Sequence, residues 1–207
     1  MISSKKELAV MLSKLKTFER ASEKLEQYAT DSEVAAEVLW SASMRGDIEG
    51  KHIADLGCGT GILGIGALTL GAKHVTFLDM DESALTTLRE NMHFIENEYS
   101  ERHENYEVFC RDINDFSTVV DTVIMNPPFG TRTKHADVLF VAKALSISPI
   151  VYSMHKTSTE EFLTNWAVRQ GARVTSRWRF QFPLKATMRQ HTKRIERIEV
   201  TCLRFER

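Results

Sequence analysis

The chain lacks a surplus of either charge. Its 207 residues carry 27 Lys and Arg against 28 Asp and Glu, a formal net charge of -1. No global attraction to nucleic acid or membrane is expected, so any such contact has to come from a local patch. Cysteine is scarce. Cys58, Cys110 and Cys202 lie far apart and form no Cys-x-x-Cys, which fits reduced thiols in an intracellular protein. None of the 7 histidines pairs with a cysteine at metal-ligand spacing, so no metal site is expected. Met1 to Leu12 mixes lysines with apolar residues and has no long apolar core. It is expected to be neither signal peptide nor membrane span, and no targeting signal is evident. Repeats, low-complexity segments and Pro/Gly-rich linkers are missing too. What remains, 43% hydrophobic and 27% charged, is ordinary for a soluble globule of one α/β domain with a real core.

The patterning alternates. Residues 5–16 read as a short amphipathic helix, and Leu25 to Thr30 as a connector. Thr30 with Glu33 three residues on fits a capping box, opening a helix to about Met44. Strands are expected at His52–Asp55, Val75–Asp79, Tyr106–Cys110, Thr122–Met125 and Ile150–Met154. Helices are expected at Gly61–Leu70, Glu82–Asn97, Asp137–Ile147 and Thr159–Gln170. Arg173–Phe182 and Ile195–Phe205 alternate like a long antiparallel pair. The expected fold class is α/β: right-handed βαβ units on a Rossmann-like sheet, seven strands mostly parallel with a C-terminal antiparallel hairpin, helices on both faces. An N-terminal helical extension, 1–30, would precede a domain spanning 31–207.

Ile53 to Gly61 is a strand entering a glycine-rich turn and then a helix. Glycines allow positive φ and close backbone approach to a ligand, and in a doubly wound sheet this turn lies where ligands bind. Asp79 ends the next strand, where a carboxylate accepts from ribose hydroxyls. A plain tight turn with an N-capping Asp is the bland alternative. A dinucleotide fingerprint needs Gly-x-Gly-x-x-Gly; here Gly57, Gly59 and Gly61 run Gly-x-Gly-x-Gly after an acidic residue. That resembles the glycine motif of class I S-adenosylmethionine-dependent methyltransferases, in which a terminal antiparallel hairpin is also expected. The resemblance implies S-adenosylmethionine as cofactor. It places Gly57, Thr60 and Ile62 at the methionine end, Asp79 on the ribose, and Arg111-Asp112-Ile113 at the adenine. Asp112 reads equally as a turn cap.

Asn126-Pro127-Pro128-Phe129 follows the fourth expected strand. Two prolines fix φ and remove donors, leaving carbonyls free to accept. The tetrapeptide resembles the catalytic motif of methyltransferases acting on planar nitrogens: adenine N6, guanine or cytosine amines, and glutamine amides. On that reading the target NH2 donates to the Asn126 side-chain oxygen and the Pro127 carbonyl, and Phe129 stacks on the ring. Positioning and electrostatics then do most of the work, with no strong general base.

Three further segments narrow the resemblance: Leu25 to Thr30, Tyr152 to Lys156, and Gly130 to His135 after the tetrapeptide. With the glycine motif they look like the eukaryotic and archaeal 18S-type small-subunit ribosomal RNA adenine-N6 methyltransferases. Members of that family usually carry Pro where Ala29 stands. The resemblance implies that Gln27 and Thr30 fold over the cofactor, that Asn126 contacts cofactor and target, and that a small zinc-binding activator subunit adds a strand at edge strand Tyr106 to Cys110. It implies location in nucleus, nucleolus included, and cytoplasm. Tyr152, His155 and Lys156 receive no firm role. For Gln27 and Thr30, simple capping stays open. Basic residues gather at Arg132, Lys134 and His135, and in the final hairpin at Arg177, Arg179, Lys185, Arg189, His191, Lys193 and Arg194. They are expected to grip RNA phosphates or to be a solvated rim. Two other functions stand beside the RNA methyltransferase: a protein glutamine-N5 methyltransferase, and a non-catalytic cofactor-binding ribosome-assembly factor.

Overall fold

The computed structural model describes residues 2–18, 27–99, 103–129, 136–184 and 196–207. Seven strands form one sheet in the order β3-β2-β1-β4-β5-β7-β6. In chain order the elements are α1 (Lys5–Ser13), α2 (Ser32–Met44), β1 (His52–Leu56), α3 (Ile62–Thr69), β2 (His74–Asp79), α4 (Glu82–Tyr99), β3 (Tyr106–Cys110), β4 (Thr122–Met125), α5 (Ala136–Ile147), β5 (Ile150–Lys156), α6 (Glu160–Arg169), β6 (Arg173–Leu184) and β7 (Glu196–Glu206). Strands β1 to β5 pair in parallel, and β7 runs antiparallel to both β5 and β6. The class I methyltransferase sheet with its terminal hairpin is therefore present.

Each face of the sheet has its own core. One packs α1 to α4 through Leu8, Leu12, Leu39, Ile65 and Leu88 against Ile53, Phe77 and Tyr152. The other packs α5 and α6 through Val141, Leu145 and Leu163 against Val123, Val151 and Phe205. Helix α1 is no loose appendage, since Leu8, Met11 and Leu12 are fully buried in the same core as α2 and α3. Burial of such side chains contributes about 1.5–3 kcal/mol each.

Two local expectations need correcting. Helix α2 is not opened by a capping box from Thr30. Asp31 is its N-cap, and its carboxylate accepts from the Glu33 and Val34 N–H groups at 2.9 and 3.3 Å. A carboxylate satisfies two orphan donors and faces the positive end of the helix, which a hydroxyl cannot match. Helix α3 begins at Ile62 and not Gly61, because Gly61 at φ 89° is left-handed and lies outside the helix.

Candidate active site

Chain order reverses between β1 and β4, and the turns after the parallel strands converge there, the usual ligand position in such sheets. A cavity of about 240 Å³ opens at this point. The turn after β1 holds Gly57 at φ 68° and Gly59 at φ 52°, a region side chains avoid. Space is equally restrictive. A Cβ on Gly57 would stand 3.1 Å from the Phe140 ring of α5, and one on Gly59 would stand 2.7 Å from Phe18. Gly57, Gly59, Thr60 and Ile62 line the cavity on this side, with Asp79, Asp112 and Ile113 beyond them and Gln27, Thr30 and Asn126 across the opening. Gly61 does not line it. That residue is the N-cap of α3, where a Cβ would meet Leu88 at 2.8 Å.

Four contributors escaped the sequence reading. Phe18 and Phe140 carry no local signal beyond being aromatic. Asn91 is buried and bonds the main chain of Lys16 in both directions, while its Nδ2 also donates to the Thr60 carbonyl at 2.9 Å. It thereby fastens the segment carrying Phe18 to the glycine turn. Asp55 did leave a signal: an ionisable residue inside a strand whose neighbours Ile53, Ala54 and Leu56 are all apolar and buried. Its Oδ2 accepts from Gly64 N at 2.8 Å, and its buried Oδ1 has no partner among the described residues. Burial pushes its carboxyl up to about 7, opposed by the Gly64 bond and reinforced by the nearby Asp79 charge.

Asp79 organises the turn. Its Oδ2 accepts from Gly59 N at 2.7 Å and its Oδ1 from Asp81 N at 2.9 Å. Burial raises its pKa, and these N–H groups hold it down. Asp112 is a cap, accepting from Asn114 N at 2.8 Å, and it also lines the cavity. Three carboxylates, Asp55, Asp79 and Asp112, thus surround the cavity. This set of acceptors suits a ligand rich in hydroxyls and N–H groups and carrying positive charge, and it opposes a pyrophosphate.

At the end of β4, Asn126 Nδ2 donates to Thr30 Oγ1 at 3.0 Å, while Asn126 Oδ1 is buried without a partner among the described residues. An unsatisfied buried amide oxygen costs about 1–3 kcal/mol. Pro128 lines the cavity; Pro127 and Phe129 do not. Phe129 is buried and stacks on Tyr28. Neither Gln27 nor Thr30 is a simple cap, since Gln27 Nε2 donates to Asp81 Oδ2 at 2.7 Å. Residues 27–30 therefore bridge from the end of β2 to the end of β4.

Tyr152, His155 and Lys156 do not line the cavity. Tyr152 is core, its hydroxyl donating to Asp47 Oδ2 at 2.6 Å. His155 is buried against Ser153 Oγ at 2.6 Å, and burial lowers its pKa to about 3. The expected RNA-gripping residues Arg132, Lys134, Lys185, Arg189, Lys193 and Arg194 lie outside the described residues, as do His135 and His191. Arg177 and Arg179 are described, and both pair with Glu160 at 3.0 and 3.2 Å, which draws their charge inward. Among the described residues no cluster of three or more His, Cys, Asp or Glu could hold a metal, and no helix is long and apolar enough to cross a membrane.

Sheet order, the glycine turn and the strand-terminal acid together define a class I methyltransferase fold. The solved structure of protein PH1948 from Pyrococcus horikoshii, described as a candidate RNA methyltransferase, superposes at a TM-score of 0.88 with 44% identity, covering 100% of this chain and 98% of that one. The Danio rerio rRNA N(6)-adenosine-methyltransferase METTL5 is 36% identical, with 97% of each chain covered. Its Drosophila melanogaster counterpart is 35% identical over 91% of this chain and 90% of its own length. The family model described as conserved hypothetical protein 95 matches residues 32–175. The chain belongs to that family and to the family of the METTL5 methyltransferases.

Proposed function

We propose that this chain transfers a methyl group from S-adenosylmethionine to N6 of an adenosine in small-subunit, 18S-type ribosomal RNA. The observation that carries the reading is Asn126 Oδ1, a buried acceptor without a partner among the described residues, beside a cavity walled by the glycine turn. Relatives named as rRNA N6-adenosine methyltransferases support the substrate class. The cofactor supplies an electrophilic methyl on a positively charged sulfur. Gly57, Thr60 and Ile62 would border its amino-acid end, with Asp55 Oδ1 open to a cationic N–H. Asp79 would accept from ribose hydroxyls and Asp112 would flank the base.

Asn126 has two tasks. Its Oδ1 accepts from the adenine amine, whose lone pair is delocalised into the ring, and this bond together with the Pro127 carbonyl favours a pyramidal, more nucleophilic nitrogen. Thr30 holds the amide in the rotamer that presents Oδ1. A stacked adenine would have to be flipped out of its helix to arrive. Strand β3, at the sheet edge, is the proposed seat of a small zinc-binding activator subunit.

The test is tritiated-methyl transfer to small-subunit rRNA and, in parallel, to a protein release factor. Asn126→Ala is expected to lose about 100-fold in transfer rate with cofactor affinity kept. Asp79→Ala is expected to weaken calorimetric cofactor binding about tenfold or more. Transfer to the protein and not to RNA would identify a glutamine-N5 methyltransferase. Full cellular function of Asn126→Ala would identify a non-catalytic assembly factor.

A further inference from the structure

The ring assigned to stacking on the target base is already stacked. Tyr28 and Phe129 have ring centroids 5.8 Å apart and planes 16° from parallel. Phe129 is only 6% exposed and fixed in the main core, whereas Tyr28 is 36% exposed and lines the cavity. No base reaches Phe129 unless something moves, and of the two rings only Tyr28 has room.

The backbone around Tyr28 is tied on both sides. Gln27 Nε2 bonds Asp81 at 2.7 Å, and Thr30 Oγ1 accepts from Asn126 Nδ2 at 3.0 Å. Tyr28 lies between these two anchors, so a rotation of its side chain would leave the strap in place. Two rings that sandwich a base stand about 7 Å apart, twice the ~3.4 Å step of stacked bases. The observed pair, with centroids 5.8 Å apart, is a direct stack, so a base enters only if Tyr28 swings outward. Thr30 ties the same strap to Asn126, and Tyr28 and Asn126 line the same cavity.

We propose that Tyr28 is the second wall of the target-base slot: the flipped base inserts between Tyr28 and Phe129, and Tyr28 closes the slot when it is empty. The inference rests on the adenine-N6 reading above. It makes Tyr28 a base-binding residue, and a sequence-tolerant one, because every base has a π-face; selection of adenine stays with Asn126 and Pro127.

The experiment measures methyl transfer to small-subunit rRNA by Tyr28→Phe, Tyr28→Trp and Tyr28→Ala, with calorimetric affinity for S-adenosylhomocysteine and melting temperature recorded for each. Tyr28→Phe keeps the ring and is expected within about twofold of wild type. Tyr28→Ala is expected to raise KM for the RNA roughly tenfold or more, with cofactor affinity unchanged. In Tyr28→Trp, indole emission corrected for wild type should fall when the RNA is added with S-adenosylhomocysteine. A folded Tyr28→Ala with unchanged KM for RNA, or one that weakens the cofactor instead, overturns the proposal. So does unquenched emission in an RNA-bound Tyr28→Trp, which decides the matter if Tyr28→Ala does not fold. A wild-type protein that methylates no adenine overturns the underlying function, a different result from an active enzyme indifferent to Tyr28.

Discussion

Burial moves Asp55 and His155 in opposite directions, and the two make opposite claims on stability. The Asp55 carboxyl rises from 3.8 to about 7, so the folded state favours its neutral form. Its contribution is fully present below the ordinary carboxylate range and is lost as pH rises through about 7. The His155 imidazole falls from 6.5 to about 3. It stabilises fully above about 6.5 and that contribution is lost as pH falls toward about 3. Between roughly pH 4 and 6.5 the two slopes oppose each other, so wild type alone reveals neither. Asp55→Asn keeps an acceptor for Gly64 N and removes the titration. Its advantage over wild type in denaturant melts of the cofactor-free protein should grow from near zero at pH 4 to roughly 4 kcal/mol at pH 8. His155→Leu should show the mirror image, comparing better with wild type at pH 4.5 than at pH 8. Curves parallel to wild type across this range would mean that burial does not control these groups.

Among the elements, the terminal hairpin is pinned to the parallel sheet by a buried knot that no motif announces. Asp47, in the turn after α2, accepts from Tyr152 of β5 at 2.6 Å and from Arg204 Nε of β7 at 2.9 Å. Its main-chain carbonyl accepts from Thr122 of β4 at 2.7 Å. Arg204 is largely buried and has Glu206 and Thr175 as further partners. Asp47→Ala leaves a buried guanidinium and a phenol short of an acceptor and should cost about 3–5 kcal/mol, read as a large fall in melting temperature; a loss below about 1 kcal/mol would show that Glu206 alone suffices. Such long-range pairs cannot be read from a chain, because Asp47 and Arg204 are separated by 157 positions and each alone looks like a surface charge. The elements themselves were legible wherever apolar period and turn residues agreed, as in the strand before Gly57 or the run Thr122–Met125 before Asn126. The α2 start was misread, since Thr30 and Asp31 are both good caps and only tertiary contact with Asn126 separates them. Of the site, the glycine turn, Asp79, Asp112 and Asn126 were legible because local backbone chemistry dictates them. Phe18, Phe140 and Asn91 were not, because they act on it across the fold.

The whole molecule presents two sheet edges, and they are defended differently. Edge strand β6 carries Arg173, Arg177 and Arg179, the last two anchored on Glu160. Charges of this kind keep a foreign strand from adding. Edge strand β3 reads Tyr-Glu-Val-Phe-Cys; Tyr106, Val108 and Phe109 are only half-buried, and Met80 and Val119 stand 59% and 76% exposed nearby. One edge is thus closed by charge and the other left open to pairing, while a net charge of -1 gives little colloidal protection. The proposed activator subunit would add its strand at β3, which predicts an asymmetric response in amide exchange. In the isolated chain, β3 amides facing away from β2 should exchange far faster than those of central β1. Adding the zinc-binding partner should slow them at least tenfold and leave β6 unchanged, with soluble yield rising on co-expression. Val108→Lys should improve solubility of the chain alone, by placing charge on the open edge, and should abolish the gain from the partner. Protection at β6 instead, or an isolated chain that is soluble, monomeric and fully active, would move the partner off β3 or remove the need for one.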